Sequence, residues 1–117
     1  MKQDPNCLFC KMIAGEIPID KVAETDDILA FRDINPQAPT HILLIPKEHL
    51  PTVADLDITD RPYMTLLTEQ GNQIAHQEGV AEDGYRLVVN CKVNGGQEVY
   101  HLHMHLLAGR QMTWPPG

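Results

Sequence analysis

The chain lacks a long hydrophobic run and a surplus of positive charge. No stretch approaches the roughly 20 apolar residues that a membrane-spanning helix requires, so we expect no membrane association. The net charge of −7 at pH 7 excludes broad nucleic-acid binding, although one small phosphate site is still compatible with it. The first six residues contain no apolar segment typical of a signal peptide, and we therefore expect a cytosolic location.

Cysteine is scarce as well, since Cys7, Cys10 and Cys91 are the only three. An odd number in a chain with no secretory signal does not indicate a disulfide framework. We expect Cys91 to pack as a small apolar side chain. Cys7 and Cys10 have the spacing of a metal-binding C-x-x-C pair, but one pair supplies only half of a tetrahedral zinc site. Two cysteines packed against the core are the alternative.

The composition is that of an ordinary globular protein, with 43% hydrophobic and 21% charged residues. We expect one domain over residues 1–117, without repeats or linkers. Apolar patterns, caps and turn residues predict these elements: a helix over 7–14 capped by Asn6, strands over 21–24, 28–32, 41–45 and 85–91, a helix capped by Thr59 and ending before Gly79, and a last strand over 99–107. Short connections and the excess of strands favour an antiparallel α+β fold.

Three histidines alternate with apolar residues in the last predicted strand: His101, His103 and His105 are separated by Leu102 and Met104. A strand repeats its faces every two residues, so we expect the three imidazoles on one side, about 6.6 Å apart along the strand. Taken alone, the pattern is compatible with a metal site, with nucleophilic catalysis at phosphorus, or with surface histidines on a half-exposed strand.

The segment before the histidines, residues 95–98 (GGQE), favours catalysis at phosphorus. Two consecutive glycines free the backbone to direct N–H groups at an anion. A hairpin turn would use the same glycines. Next to three histidines in register, the segment indicates a phosphate site.

Residues 101–107 (HLHMHLL) resemble the signature of the histidine triad family, His-φ-His-φ-His-φ-φ, in which φ is apolar. Residues 30–41 (AFRDINPQAPTH), 95–100 (GGQEVY) and 109–117 (GRQMTWPPG) are similar to the nucleotide-binding (Hint) branch of that family. The resemblance covers almost the whole chain. It implies a five-stranded antiparallel sheet with two helices, assembled as a two-fold homodimer whose sheets run together.

The resemblance also implies an activity: hydrolysis of purine nucleoside phosphoramidates, such as adenosine 5′-monophosphoramidate, to a nucleoside monophosphate and an amine. No cofactor is required for this chemistry. His103 matches the nucleophile that forms a nucleotidyl-imidazole intermediate, which divides one difficult displacement into two. His41 and His105 match residues that surround and orient the nucleophile and the α-phosphate, and His101 completes the catalytic group.

The substrate residues implied by the resemblance form three groups. Asp33 matches a carboxylate that accepts hydrogen bonds from the ribose hydroxyls, although an Asp that only forms a turn is the alternative. The apolar slot for the base comprises Leu8, Phe9, Met12, Phe31 and Ile34. The phosphate side comprises Asn90, Gly96, Gln97, Glu98 and Val99. Trp114 is expected to reach across a dimer interface, with ordinary packing as the alternative.

Glu98 departs from the pattern of many relatives, which carry serine at this position. An ionised carboxylate donates no hydrogen bond and repels phosphate, unless it faces away or is protonated. The protonation of the leaving amine is therefore open, whereas the backbone N–H of Glu98 remains available to a phosphate.

Several members of the family join a C-x-x-C pair to two histidines, which match His49 and His101 here. The resemblance thus implies a possible structural zinc held by Cys7, Cys10, His49 and His101, without a catalytic role. Three other interpretations stay open: a dinucleotide hydrolase or nucleotidyl transferase of the same family, a non-catalytic nucleotide-binding or scaffold protein, and a hydrolase whose metal is held by the three triad histidines.

Overall fold

The computed structural model describes residues 2–117, so Met1 of the expected 1–117 domain lies outside the described residues. The elements are α1 (Leu8–Ile13), β1 (Lys21–Glu24), β2 (Ile28–Arg32), β3 (Thr40–Pro46), a 3₁₀ turn (Val53–Asp55), α2 (Tyr63–Gln77), β4 (Tyr85–Val88) and β5 (Met104–Ala108). The five strands form one sheet in the order β1-β2-β3-β5-β4, and every neighbouring pair is antiparallel. The expected α+β class is confirmed. Neither of the described α-helices is long and apolar enough to cross a membrane.

β3 is the central strand, and both of its faces are covered. Ile42 and Leu44 pack on one side in the main core, which includes Tyr63, Leu67 and Ile74 of α2. On the other side, Leu43 and Ile45 belong to a second apolar cluster that contains Phe9 of α1. A near-continuous apolar run is typical of a strand buried in this way.

Both predicted helix caps are wrong. α1 is capped by Cys7, whose Sγ accepts a hydrogen bond from the Cys10 N–H at 3.4 Å. α2 follows Pro62, which provides no side-chain cap. The N–H of Thr59 instead donates to Oδ1 of Asp57 at 3.1 Å, so Thr59 belongs to a separate turn before the helix.

The strands on either side of the last loop are shorter than predicted. β4 ends at Val88, and β5 begins at Met104, so only one triad histidine, His105, lies in a strand. The segment before β5 is bonded instead to the loop after β3, because the Leu102 N–H donates to the carbonyl of Leu50 at 2.6 Å. The prediction of a strand over 99–107 is therefore wrong in its first half.

The predicted alternation of faces nevertheless holds through this segment. Leu102, Met104 and Leu106 all belong to the main core beneath α2. His101 and His103 lie on the other side, where both rings contact Phe9 of α1. The imidazoles consequently share the side of the sheet that α1 covers.

Candidate active site

A cleft of about 880 Å³ lies beside α1 and collects most of the predicted site residues. Those that line it are Leu8, Phe9, Met12, Phe31, Asp33, Ile34, His41, Asn90, Gly96, Glu98, Val99, His103 and His105. Of the predicted catalytic and substrate-binding residues, three do not line it, namely His101, Gln97 and Trp114. The structure thus joins the proposed base slot, sugar carboxylate and nucleophile in one cavity.

Gln97 supports the loop instead of facing the cleft. Its Oε1 accepts from the Lys92 N–H at 2.9 Å, and its Nε2 donates to the carbonyl of Pro51 at 2.8 Å. Its backbone N–H donates to the carbonyl of Lys92 at 3.0 Å. All these groups are therefore engaged within the protein. Trp114 also lies away from the cleft, and the residue is 81% exposed.

The two glycines before the triad serve the turn itself. A Cβ on Gly95 would lie 2.4 Å from the carbonyl oxygen of Cys91, which leaves no room for a side chain. Gly96 has a φ of +77°, and its N–H donates to the carbonyl of Val93. Within the described chain, the backbone N–H groups of Glu98 and Val99 have no protein acceptor. These two amides belong to residues that line the cleft, so they are candidate donors for an anion.

His103 has its ring oriented by one backbone hydrogen bond. Its Nδ1 lies 2.7 Å from the carbonyl oxygen of His101, and because a carbonyl only accepts, Nδ1 carries the proton. Burial lowers the pKa of His103, although that hydrogen bond and the charges of Asp33 and Glu98 oppose the shift. The neutral ring therefore has its lone pair on Nε2, which is the form required of a nucleophile.

His41 and His105 are joined by a hydrogen bond whose donor and acceptor can be identified. The Gln37 N–H donates to Nδ1 of His41 at 3.0 Å, so the proton of neutral His41 is on Nε2. That Nε2 lies 2.9 Å from Nδ1 of His105. Burial lowers the pKa of both histidines, that of His105 to about 4, and both are neutral near pH 7. His41 therefore donates to His105, which retains its own proton on Nε2 as a donor.

Asp33 forms a turn and also lines the cleft. Its Oδ1 accepts from the Asn35 N–H at 2.8 Å, which forms the turn after β2. Its Oδ2 lies 3.5 Å from Nε2 of His41, and the residue also lines the cleft. The turn thus holds a carboxylate at the cleft wall.

A second cluster lies behind the cleft, where Cys7, Cys10, His49 and His101 place four donor atoms within 4.8 Å of one another. The S···N distances are 3.4 Å from Cys7 to His101, 3.6 Å from Cys10 to His101 and 3.5 Å from Cys10 to His49. The two Nδ1 atoms are 3.1 Å apart. Tetrahedral zinc with ordinary bond lengths requires about 3.6 Å for S···N and about 3.4 Å for N···N. The donor set therefore fits a zinc ion in chemistry and in spacing.

His101 presents the nitrogen that such an ion needs. Its Nε2 lies 2.8 Å from the carbonyl oxygen of Pro46, so Nε2 is protonated and the lone pair is on Nδ1, toward the cysteines. Burial lowers the pKa of this ring to about 4. The interpretation in which all three triad histidines hold one metal is wrong, because His101 directs Nδ1 toward the cysteines and donates from Nε2 to the carbonyl of Pro46, so it groups with Cys7, Cys10 and His49 instead.

Gln37 is the residue of the candidate site that sequence reasoning missed. It acts through its backbone N–H on His41, and it also lines the cleft. A backbone contact of this kind leaves no signature in residue type. Only its position four residues before His41, in a loop rich in proline, could have drawn attention to it.

Comparison with known proteins agrees with this geometry, since residues 14–112 match the HIT domain, the histidine triad fold. The chain belongs to the HIT family. The HIT-family chain is 52% identical over 105 residues to the purine nucleoside phosphoramidase of Escherichia coli K12, covering 90% of this chain and 88% of that one. It is also 50% identical over 116 residues to the 14 kDa zinc-binding protein of Zea mays, covering 97% and 90%.

Among solved structures, a HIT family hydrolase from Legionella pneumophila Philadelphia 1 superimposes with a TM-score of 0.93 at 56% identity. The match covers 96% of this HIT chain and 100% of the other. The family and the five-stranded fold expected from the resemblance are confirmed.

Proposed function

We propose that the protein is a purine nucleoside phosphoramidase that hydrolyses P–N bonds of the adenosine 5′-monophosphoramidate type. One observation carries the proposal: the hydrogen bond from Nδ1 of His103 to the carbonyl of His101, at 2.7 Å, leaves Nε2 free in a residue that lines the cleft. The E. coli relative named purine nucleoside phosphoramidase supports the choice of substrate.

In the first step, Nε2 of His103 attacks the α-phosphorus and the P–N bond breaks; the electron pair stays on the amine nitrogen, which takes up a proton from solvent and leaves as neutral amine. The imidazole ring of His103 thereby acquires a positive charge. That charge is stabilised by the carbonyl of His101, which continues to accept from Nδ1–H. The phosphate oxygens accept hydrogen bonds from three N–H groups, those of His105 Nε2 and of the Glu98 and Val99 backbone amides.

In the second step, water attacks phosphorus and releases a proton to solvent, which balances the proton taken up by the amine; the phosphorus–imidazole bond breaks, and its electron pair returns to Nε2 of His103. The products are the nucleoside monophosphate and the amine, with one water consumed. Two displacements at the same phosphorus replace one, and His103 ends in its starting protonation state.

The rest of the cleft suits a nucleotide. Asp33 directly follows β2 and lines the cleft. Because a carboxylate accepts from ribose hydroxyls but repels phosphate, Asp33 marks the sugar end of the cleft. Phe9 and Phe31 meet edge to face with ring centroids 5.7 Å apart. With Leu8, Met12 and Ile34 they form an apolar wall for the base. Ile34 is 99% exposed, so binding a base there would remove apolar surface from water.

We also propose that the cluster of Cys7, Cys10, His49 and His101 holds a structural zinc. Its donor spacing and the name of the Zea mays relative, a zinc-binding protein, support this. A zinc ion bound there would link α1 to the segment before β5 and would contribute to folding stability. The cluster does not line the cleft with His103, so no step of the reaction is assigned to the metal.

We further propose that the protein is a homodimer and is located in the cytosol. β4 is an outer strand of the sheet, and the exposed apolar residues Val93 and Trp114 follow it in the chain, 83% and 81% exposed. An outer strand pairs readily with a second copy. Three free cysteines suit a reducing compartment, and the negative net charge gives no support for nucleic-acid binding.

The test is hydrolysis of adenosine 5′-monophosphoramidate by purified protein, beside His103→Ala and the matched control His76→Ala, which removes an exposed imidazole of α2. Turnover by the wild type and by His76→Ala, with loss in His103→Ala, is expected. Nucleotide binding without turnover in the wild type would favour a non-catalytic binding protein. Faster turnover of a dinucleoside polyphosphate would favour a dinucleotide hydrolase.

A further inference from the structure

Helix α1 takes part in two sites at once. Cys7, its cap, and Cys10, within it, supply the sulfur atoms of the Cys/His cluster. Leu8, Phe9 and Met12, on the same six-residue helix, line the cleft. A helix this short has little stability of its own, so its position depends on the contacts at its two faces.

Phe9 is the side chain that joins the two sites. It lies between the two cysteines in the sequence, and its ring meets His101 at a centroid distance of 5.8 Å and His103 at 5.2 Å. The backbone makes a second connection, because the carbonyl of His101 accepts from Nδ1 of His103. A change in the position of α1 must therefore alter both the donor cluster and the wall of the cleft.

We propose that α1 couples metal binding at the Cys/His cluster to nucleotide binding in the cleft, so that occupancy of the cluster sets nucleotide affinity. The inference rests on the proposed function, since it takes the cleft to be a nucleotide site. Thermodynamic linkage makes the effect reciprocal: a bound nucleotide raises the affinity for zinc by the same factor by which zinc raises the affinity for the nucleotide.

The coupling is mechanical and not electrostatic. Two thiolates balance the charge of a divalent ion, and the two histidine ligands are neutral, so the loaded cluster adds no net charge that would attract a nucleotide. The coupling factor should consequently be the same at low and high salt, whereas attraction between separated charges is screened.

The experiment measures both sides of the linkage in the full chain. Zinc affinity is determined by competition with a chromophoric chelator, with and without saturating AMP. AMP affinity is determined by calorimetry, with zinc-loaded and zinc-free protein. We expect each affinity to rise by about fivefold or more, the lower end of ordinary couplings, with equal factors on the two sides. Circular dichroism tests whether the zinc-free protein is folded.

Two variants test the role of Phe9. Phe9→Leu keeps an apolar side chain but removes the aromatic contact with His101 and His103, and we expect its coupling factor to fall below about twofold. Ile13→Val alters the same helix at a residue that packs on the second apolar cluster but does not line the cleft, and it should keep the coupling.

Equal affinities with and without the second ligand would overturn the inference while leaving the proposed function intact. Full coupling in Phe9→Leu, or a zinc-free protein that is unfolded, would overturn the role of α1, because the effect would then belong to the whole fold. AMP that fails to bind the zinc-loaded protein would overturn the inference and the nucleotide site together.

Discussion

His101 and His103 stand two residues apart and are both buried, yet they use opposite ring nitrogens. His101 donates from Nε2 to the carbonyl of Pro46, which leaves Nδ1 for the cysteines. His103 donates from Nδ1 to the carbonyl of His101, which leaves Nε2 for the cleft. In the proposed scheme, the same side chain thus serves as a metal ligand or as a nucleophile according to which backbone carbonyl holds it.

The largest predicted effect, a loss of turnover, comes from replacing His103 and His101 one at a time by alanine. His103→Ala should lower kcat for adenosine 5′-monophosphoramidate by roughly 10⁴-fold or more, because the nucleophile is lost, and should leave bound zinc unchanged. His101→Ala should abolish zinc binding and lower kcat by only about 10–100-fold, as expected of a residue that acts through another.

Steady-state kinetics and metal analysis of the same preparations provide the check. His76→Ala, an exposed histidine of α2, serves as the control in which both properties persist. Equal losses of turnover in the two triad variants, or loss of zinc in His103→Ala, would contradict the proposal that His101 binds the metal and His103 is the nucleophile.

Removal of the metal should affect stability far more than chemistry. A ligand present at about 1,000 times its Kd stabilises a fold by about 4 kcal/mol, so chelation should lower Tm by roughly 10 °C or more. Cys10→Ser should lack this response, whereas Cys91→Ser, outside the cluster, should keep it. Thermal melts monitored by circular dichroism, with zinc and with chelator, make the measurement. A chelator that stops turnover of folded protein without changing Tm would contradict the structural role.

Asp33→Asn examines the sugar end of the cleft. The amide oxygen can still accept from the Asn35 N–H, so the turn is retained, but the charged acceptor for the ribose is lost. We expect kcat/KM for the ribonucleotide to fall by roughly tenfold or more. A 2′,3′-dideoxy substrate, which has no hydroxyls to bind, should respond much less. Similar losses of kcat/KM for the two substrates would indicate that Asp33 acts on the histidines and not on the ribose.

The smallest predicted effect concerns pH. Burial lowers the pKa of His41, His103 and His105, so the neutral rings persist in acid and the acidic limb of kcat/KM should lie below pH 6.5. The charge of Glu98 stabilises protonated His103, and Glu98→Gln should therefore move the limb to still lower pH, by less than about one unit.

The pH profile of kcat/KM, measured beside Glu69→Gln as a charge-matched control on α2, makes this test. A limb that moves upward in Glu98→Gln would show that the carboxylate does not act on His103 through its charge.

The parts of the fold that depend on local patterns could be predicted from the sequence. The strands over 21–24 and 28–32 have the predicted bounds, because alternation and the intervening turn are encoded within a few residues. The start of β5 could not be predicted. It depends on the hydrogen bond from the Leu102 N–H to the carbonyl of Leu50, two residues that are 52 positions apart in the chain. Because of this bond, the first part of the predicted strand pairs with a loop and not with the sheet.

The residues of the candidate site were also within reach of the sequence, but their chemical states were not. The triad motif names His101, His103 and His105, and resemblance adds His41 and His49. The nitrogen that each ring presents is decided by backbone groups, such as the carbonyl of Pro46 and the N–H of Gln37. Since every residue type supplies a backbone carbonyl, and every type except proline an N–H, no side-chain pattern specifies these groups.

The most direct test of the account is to find the covalent intermediate. Zinc-loaded and chelator-treated protein would each be mixed with a phosphoramidate substrate, quenched within the first turnover, and mapped by mass spectrometry under conditions that preserve phosphorus–imidazole bonds. We predict a nucleotidyl group on His103 in both samples and none in His103→Ala. A nucleotidyl group on another residue, or turnover by folded protein that requires the metal and passes through no adduct, would contradict nucleophilic catalysis by His103.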